Sequence, residues 1–323
     1  MTPTPVILDV DTGVDDALAL LLAVRSPDLD VRAVTCVAGN ADVDQVVRNT
    51  LVVLDAAGAG DVPVARGADR PLLEPPRHAR QVHGADGMAD LGLPDSHRRP
   101  RDESAVELLR ATITRSDTPV TLVPLAPLTN IALLLRTHPE VAEQIEGIVF
   151  MGGSASMGNA TAAAEFNIWH DPEAAAIVLG SGVPLTMYGL DVFYNVTVDA
   201  ATADVLAASH EPGAQLAGLL LSHQVRRLGG APGTIGDAGA VVAVLAPQLV
   251  TTARHPVRVE LAGTWTRGMT VVDRRLVAGE GGEQVVPAVA AGDDHGHGGR
   301  CDGHGDEIAW VVAGASLRAG TRW

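Results

Sequence analysis

The stretch Leu8-Asp9-Val10-Asp11-Thr12-Gly13-Val14-Asp15-Asp16-Ala17-Leu18 decides how the chain reads. It closes an apolar run, Pro5 to Val10, of the kind that forms a strand buried on both faces. It then opens a helical pattern from about Val14 to Val24. Asp9, Asp11, Asp15 and Asp16 crowd this strand-to-helix turn with no cationic residue among them. Helix capping explains one or two of them, because an Asp near a helix N-terminus accepts orphan N–H groups and meets the positive end of the dipole. It does not explain four, since like charges a few Å apart raise one another's pKa unless a positive charge intervenes. An all-oxygen set with no His or Cys nearby suits Ca²⁺ or Mg²⁺ better than zinc.

Outward from that turn, β-branched runs alternate with helical periods. Strands are expected at Val31 to Ala38, Pro119 to Pro124, Ile145 to Met151 and Pro184 to Tyr188. Helices are expected near Val43 to Ala57, Leu128 to Leu135 and Pro172 to Leu179. This order predicts an α/β fold, an open, mostly parallel, Rossmann-like sheet with helices on both faces. With no repeat and no linker, residues 1–323 read as one domain, although a prior of about 150 residues per domain would allow two. Gly67 to Pro100 is a long Pro/Arg/His-containing stretch of the functional-loop kind. From about residue 291 the chain turns polar. His295, His297, Cys301 and His304 there fit no standard zinc spacing, and a surface loop is the plainer reading.

The 323 residues carry 23 Lys+Arg against 39 Asp+Glu, a formal charge of -16, and every one of the 23 is arginine. The lack of lysine excludes a P-loop lysine, a Schiff base and the lysine of a haloacid-dehalogenase-type phosphatase. The acidic balance argues against nucleic acid as partner. No apolar run approaches the roughly 18 residues of a membrane span. Two cysteines make no disulfide framework, and no basic leader precedes the first strand, so the cytoplasm is the expected compartment.

The chain resembles the inosine-uridine-preferring nucleoside hydrolases. The carrying motifs are Asp9 to Ala17, Ala38-Gly39-Asn40, Val82-His83-Gly84-Ala85-Asp86-Gly87, Ala126-Pro127-Leu128-Thr129-Asn130 and Met151-Gly152-Gly153. Asn159, Glu165-Phe166-Asn167, Asp171-Pro172-Glu173-Ala174-Ala175 and Asp237 follow in order, over roughly Val6 to Ala246. The resemblance implies Ca²⁺-dependent hydrolysis of ribonucleosides to free base and ribose in a homodimer or homotetramer. It implies metal ligands Asp11, Asp16, Asp237 and the Thr129 carbonyl, with Asp11 as the base that activates a metal-bound water. Hydrolysis would pass through an oxocarbenium-like state with inversion.

Asp15, about 100° around the helix from Asp16, is expected to point elsewhere and, by resemblance, to contact a ribose hydroxyl. Asn40, Met151, Asn159, Glu165 and Asn167 complete the expected sugar site, Glu165 and Asn167 sharing one face if their segment is extended. Many relatives carry a histidine before the late aspartate, as proton donor to a purine base, where this chain has Gly236. His83 is the first substitute, with His223, Gln224 and Arg227 as further base-side groups and Trp169 and His170 as lining residues. Restoring histidine at Gly236 is expected to favour purines. Two alternatives stay open: action on a different N-riboside, and a catalytically impaired ribose- or nucleoside-binding protein.

Overall fold

The computed structural model describes residues 2–275 and the strand 308–315. Its main sheet is built from β1 (Thr4–Val10), β2 (Leu29–Cys36), β3 (Val64–Arg66), β4 (Val120–Pro124), β5 (Ile145–Met151) and β6 (Leu185–Tyr188). Two short strands, β7 (Thr197–Val198) and β8 (Gly233–Thr234), form a separate pair. β9 (Val250–Val259), β10 (Thr270–Val272) and β11 (Ile308–Ala315) rejoin the main sheet. The order is β10-β9-β11-β6-β5-β4-β1-β2-β3. From β11 to β3 all neighbours are parallel, while β9 runs antiparallel to β11 and to β10.

Strand periodicity sorts the core into two layers. On β1, Val6, Leu8 and Val10 enter one apolar cluster and Ile7 enters the other, the alternation a strand buried on both faces requires. The first cluster is closed by the helices Val14–Arg25, Val43–Ala56, Pro212–Arg227 and Ala238–Leu245. The second is closed by Ala105–Arg115, Thr129–Thr137 and Pro172–Leu179. Capping residues set where these helices begin: Asp42 accepts Gln45 N–H at 3.1 Å, and Asp171 accepts Ala174 N–H at 3.1 Å beside Pro172.

β1 lies between β2 and β4, so the chain order reverses there. Open parallel sheets bind ligands outside the carboxyl ends of their strands at such a switch point. The acidic turn leaves β1 at that place. The long stretch Gly67 to Pro100 contains the short helix Arg80–His83. β3, the pair β7 and β8, and β9, β10 and β11 are strands that the sequence pattern did not announce. The polar segment with His295, His297, Cys301 and His304 lies outside the described residues. Among the described residues no helix is long and apolar enough to cross a membrane.

Candidate active site

Three carboxylates converge. Ligand atoms of Asp15, Asp16 and Asp237 all lie within 4.8 Å of one another. Asp11 adjoins them: its backbone N–H donates to Asp16 Oδ1 at 3.2 Å. Asp16 Oδ2 accepts from Gly13 N–H at 2.9 Å and from Asn40 Nδ2 at 3.1 Å. Asp16 is thus partly a helix cap. Asp237 is not: it precedes the helix Ala238–Leu245 with no side-chain cap bond. Asp15 does not point elsewhere, as helical geometry alone suggests. It sits in the first turn, where the start of a distant helix brings Asp237 against it.

The cluster is buried and electrically uncompensated. Burial raises Asp11 and Asp237 well above the usual carboxylate range, and neighbouring carboxylates push further, Asp16 on Asp11 and Asp15 on Asp237. Asp16 is pushed up to about 7 by burial, then by Asp15. Asp11 Oδ2 is tied to Asn40 N–H at 2.7 Å, but its Oδ1, like Asp15 Oδ1, is buried with no hydrogen-bond partner. A Cβ at Gly39 would collide with the Asp11 carboxylate, so only glycine lets that loop lie so close. Buried oxygens without donors, and charges without counter-charge, are what a bound hard cation resolves. The residues present therefore fit such an ion.

Supporting groups hold this floor. Thr129 begins the helix after β4, buried, with its hydroxyl donating to Asp171 Oδ2 at 2.6 Å. Asn130 Nδ2 bonds Asp9 Oδ1 at 2.8 Å and the Cys36 carbonyl at 3.0 Å. Asp9, which also accepts from the Thr35 hydroxyl at 2.6 Å, ties β1, β2 and that helix together beneath the cluster.

The residues expected to contact the sugar do not lie on an extended segment. Phe166–His170 is a helix, and Glu165 is its N-cap. The Glu165 carboxylate accepts from the N–H groups of Gly153, Asn167 and Ile168 at 2.9, 2.9 and 3.1 Å. Burial nevertheless pushes it up to about 7. Asn167 Nδ2 donates to the carbonyls of Leu125 and Met151 at 2.9 and 3.1 Å, which fixes its rotamer and anchors buried Met151. Asn159, on an exposed loop, accepts from Phe166 N–H at 2.9 Å.

Among the residues expected to face the base, His83 Nδ1 accepts from Val14 N–H at 3.1 Å. The neutral ring therefore carries its proton on Nε2. Burial lowers the His83 pKa, outweighing the opposite pull of Asp15, so the 3.6 Å approach to Asp15 Oδ1 is no ion pair near neutrality. Arg227 and His223 also act on His83. His223 Nε2 is buried and unpartnered. Gln224 is half committed, accepting Thr234 N–H at 2.8 Å. Trp169 lies under the Arg77 guanidinium, 4.3 Å from its ring centre, and His170 packs on Phe166 at 5.6 Å. Two groups beside the site carried no sequence signal: His78, whose Nδ1 is 3.0 Å from the Gly39 carbonyl, and Tyr194.

Fold and site define an α/β protein with an acidic, cation-accepting pocket at the switch point of its parallel sheet. Residues 6–295 match the family described as inosine-uridine preferring nucleoside hydrolase, beyond the limit near Ala246 that the motifs set. The chain is 42% identical over 280 residues to the pyrimidine-specific ribonucleoside hydrolase RihA of Citrobacter koseri, covering 85% of this chain and 90% of that protein. Two solved structures each superpose with a TM-score of 0.83. One is a plant nucleoside hydrolase, 28% identical, covering 96% of this chain and 94% of that one. The other is a purine-preferring ribonucleoside hydrolase from Gardnerella vaginalis, 29% identical, covering 97% and 94%. The chain belongs to the nucleoside hydrolase family. It is an N-glycosidase acting on ribonucleosides, which sets aside the binding-protein alternative.

Proposed function

We propose that the chain hydrolyses pyrimidine ribonucleosides, with Ca²⁺ at the carboxylate cluster and Asp11 as general base. The observation that carries this is the convergence of Asp15, Asp16 and Asp237 beside a buried Asp11 oxygen that has no partner. When bound, the ion would neutralise the carboxylates, orient the 2′- and 3′-hydroxyls of ribose and make a coordinated water more acidic. Asn40 N–H holds Asp11 by Oδ2, which leaves Oδ1 to take the proton of the water that attacks the anomeric carbon. Asn167 and Asp15 hold the ribose. His83, with its proton on Nε2, donates toward the leaving base from a ring that Val14 fixes in place. The name of the relative RihA supports the pyrimidine preference, and Gly236 offers no side-chain donor for a purine. The test is release of ribose from uridine, cytidine, inosine and adenosine, with and without chelator. Turnover fastest on uridine or cytidine and abolished by chelation is the expected outcome, and chelator-resistant turnover defeats the cation.

A further inference from the structure

We infer that His78 is a positioning residue for the general base: through a single peptide group it holds the N–H that fixes Asp11. This rests on the assignment of Asp11 as base proposed above and adds a residue that none of the motifs contains.

The contact runs through the peptide between Gly39 and Asn40. Its N–H donates to Asp11 Oδ2 at 2.7 Å. Its C=O lies 3.0 Å from His78 Nδ1. A carbonyl oxygen only accepts, so His78 carries a proton on Nδ1 and donates it there. The peptide is planar and trans, with its N–H and C=O pointing in opposite directions. The two bonds therefore clamp one rigid plane from its two ends, His78 on one side and the base on the other. Donation into the C=O also strengthens the N–H as a donor, since hydrogen bonds in a chain polarise one another.

This plane needs an outside hold. Residue 39 must be glycine, because a Cβ there would collide with the Asp11 carboxylate, and glycine is the residue least able to stiffen its own backbone. The loop that carries His78 supplies the hold twice over. Ala79 N–H donates to the Asn40 carbonyl at 3.1 Å, so His78 and Ala79 take the two carbonyls that flank Asn40. The Asn40 side chain is thereby steadied as well, and it donates to Asp16 Oδ2 at 3.1 Å.

A side chain positions another group only from a fixed support. His78 has one, although it is half-buried on a loop. Upstream, Ala68 N–H donates to Asn130 Oδ1 and Leu72 N–H to Asp171 Oδ2, both at 2.9 Å. Beside it, the Arg77 guanidinium lies 4.3 Å from the Trp169 ring centre and pairs with Glu74 at 3.2 Å. Downstream, the Ala79 carbonyl accepts His83 N–H at 3.1 Å across the short helix Arg80–His83.

The experiment is a double-mutant cycle on uridine at saturating Ca²⁺, pairing His78→Leu with Asp11→Asn. In the wild-type background His78→Leu should lower kcat roughly three- to tenfold, the scale of one hydrogen bond. KM should stay within about twofold. In the Asp11→Asn background, where no base is left to position, it should cost less than about twofold. His78→Asn places an amide N–H where Nδ1 stood and should recover most of the loss, while His78→Ala should repeat His78→Leu without its bulk. Equal losses in the two backgrounds, or none in either, overturn the assignment, because a general disturbance of the loop or of His83 acts whether or not Asp11 is a base. A raised KM with kcat unchanged overturns it too, as does His78→Asn losing as much as His78→Leu. Wild type releasing no ribose, or Asp11→Asn keeping near-wild-type turnover, would remove the reading beneath the assignment and the assignment with it, a result recognised without any change at His78.

Discussion

The floor and the rim of this pocket are built on opposite principles. On the floor, Asp11, Asp16 and Asp237 are buried, and backbone N–H groups from adjoining loops fix Asp11 and Asp16. At the rim, Arg227, Asn159 and Tyr194 are exposed side chains on helix ends and loops. A buried carboxylate held by several loops cannot shift without unpairing backbone groups, whereas a rim side chain can be exchanged at little cost. Chemistry common to a family belongs on the first surface and substrate choice on the second. Similar folds carried by relatives named pyrimidine-specific and purine-preferring accord with that division.

The sharpest way to break the comparison is to change one floor oxygen. Asp11→Asn keeps an acceptor for Asn40 N–H but loses the base, so kcat on uridine should fall by about a thousandfold, within the range for removing a general base. The melting temperature should move little. A loss below tenfold would move the base role away from Asp11.

The next effect is on stability. With no cation bound, native Asp16 holds its proton up to about pH 7, and Asp11 and Asp237 are raised as well. The unfolded chain releases these protons near pH 4. Between about pH 4 and 7 the native state binds more protons than the unfolded one, so the stability of cation-free protein falls as pH rises through that window. Ca²⁺ binds the ionised form, so its stabilisation grows over the same window, reaching about 2.7 kcal/mol at a hundred times its Kd. Melting curves with Ca²⁺ and with chelator at pH 5 and pH 7.5 should differ by about 4 °C at the higher pH and by less at the lower. A gap that is equal or larger at pH 5 would break the description of the floor.

How much of this was legible in the sequence follows the same line between floor and rim. Asp11 and Asp16 share one turn, so local crowding alone exposed them, and the parallel-strand runs marked β1, β2, β4, β5 and β6 within a few residues but not the three-residue β3. Asp237 lies far along the chain and became visible by resemblance. The helix angle misled at Asp15, because the approach of Asp237 depends on tertiary packing. Glu165 and Asn167 were read as extended because five residues, Phe166–His170, are too few to show a helical period. β9 went unannounced because it is mostly half-exposed, its one buried residue is Val257, and it contains Pro256, which reads as a breaker. Tyr194 follows no motif. It closes the short helix Leu190–Phe193 and packs edge-on against Phe193.

The smallest effect concerns the residue where floor and rim touch. Gly236 has φ +55°, and the space for its Cβ is already taken by Asp15 and Phe193. This sets a steric cost against the expectation that a histidine there would favour purines. Any side chain must first displace Asp15, whatever it could donate further out. Gly236→Ala and Gly236→His should therefore lower kcat/KM on uridine and inosine alike, by roughly tenfold, the size of a left-handed backbone cost of about 1.4 kcal/mol. The inosine-to-uridine ratio should stay where it was. If Gly236→His raises that ratio while Gly236→Ala does not, the imidazole has found room. Asp15 would then be free to yield without losing the sugar, and the floor would be less rigid than its backbone bonds imply.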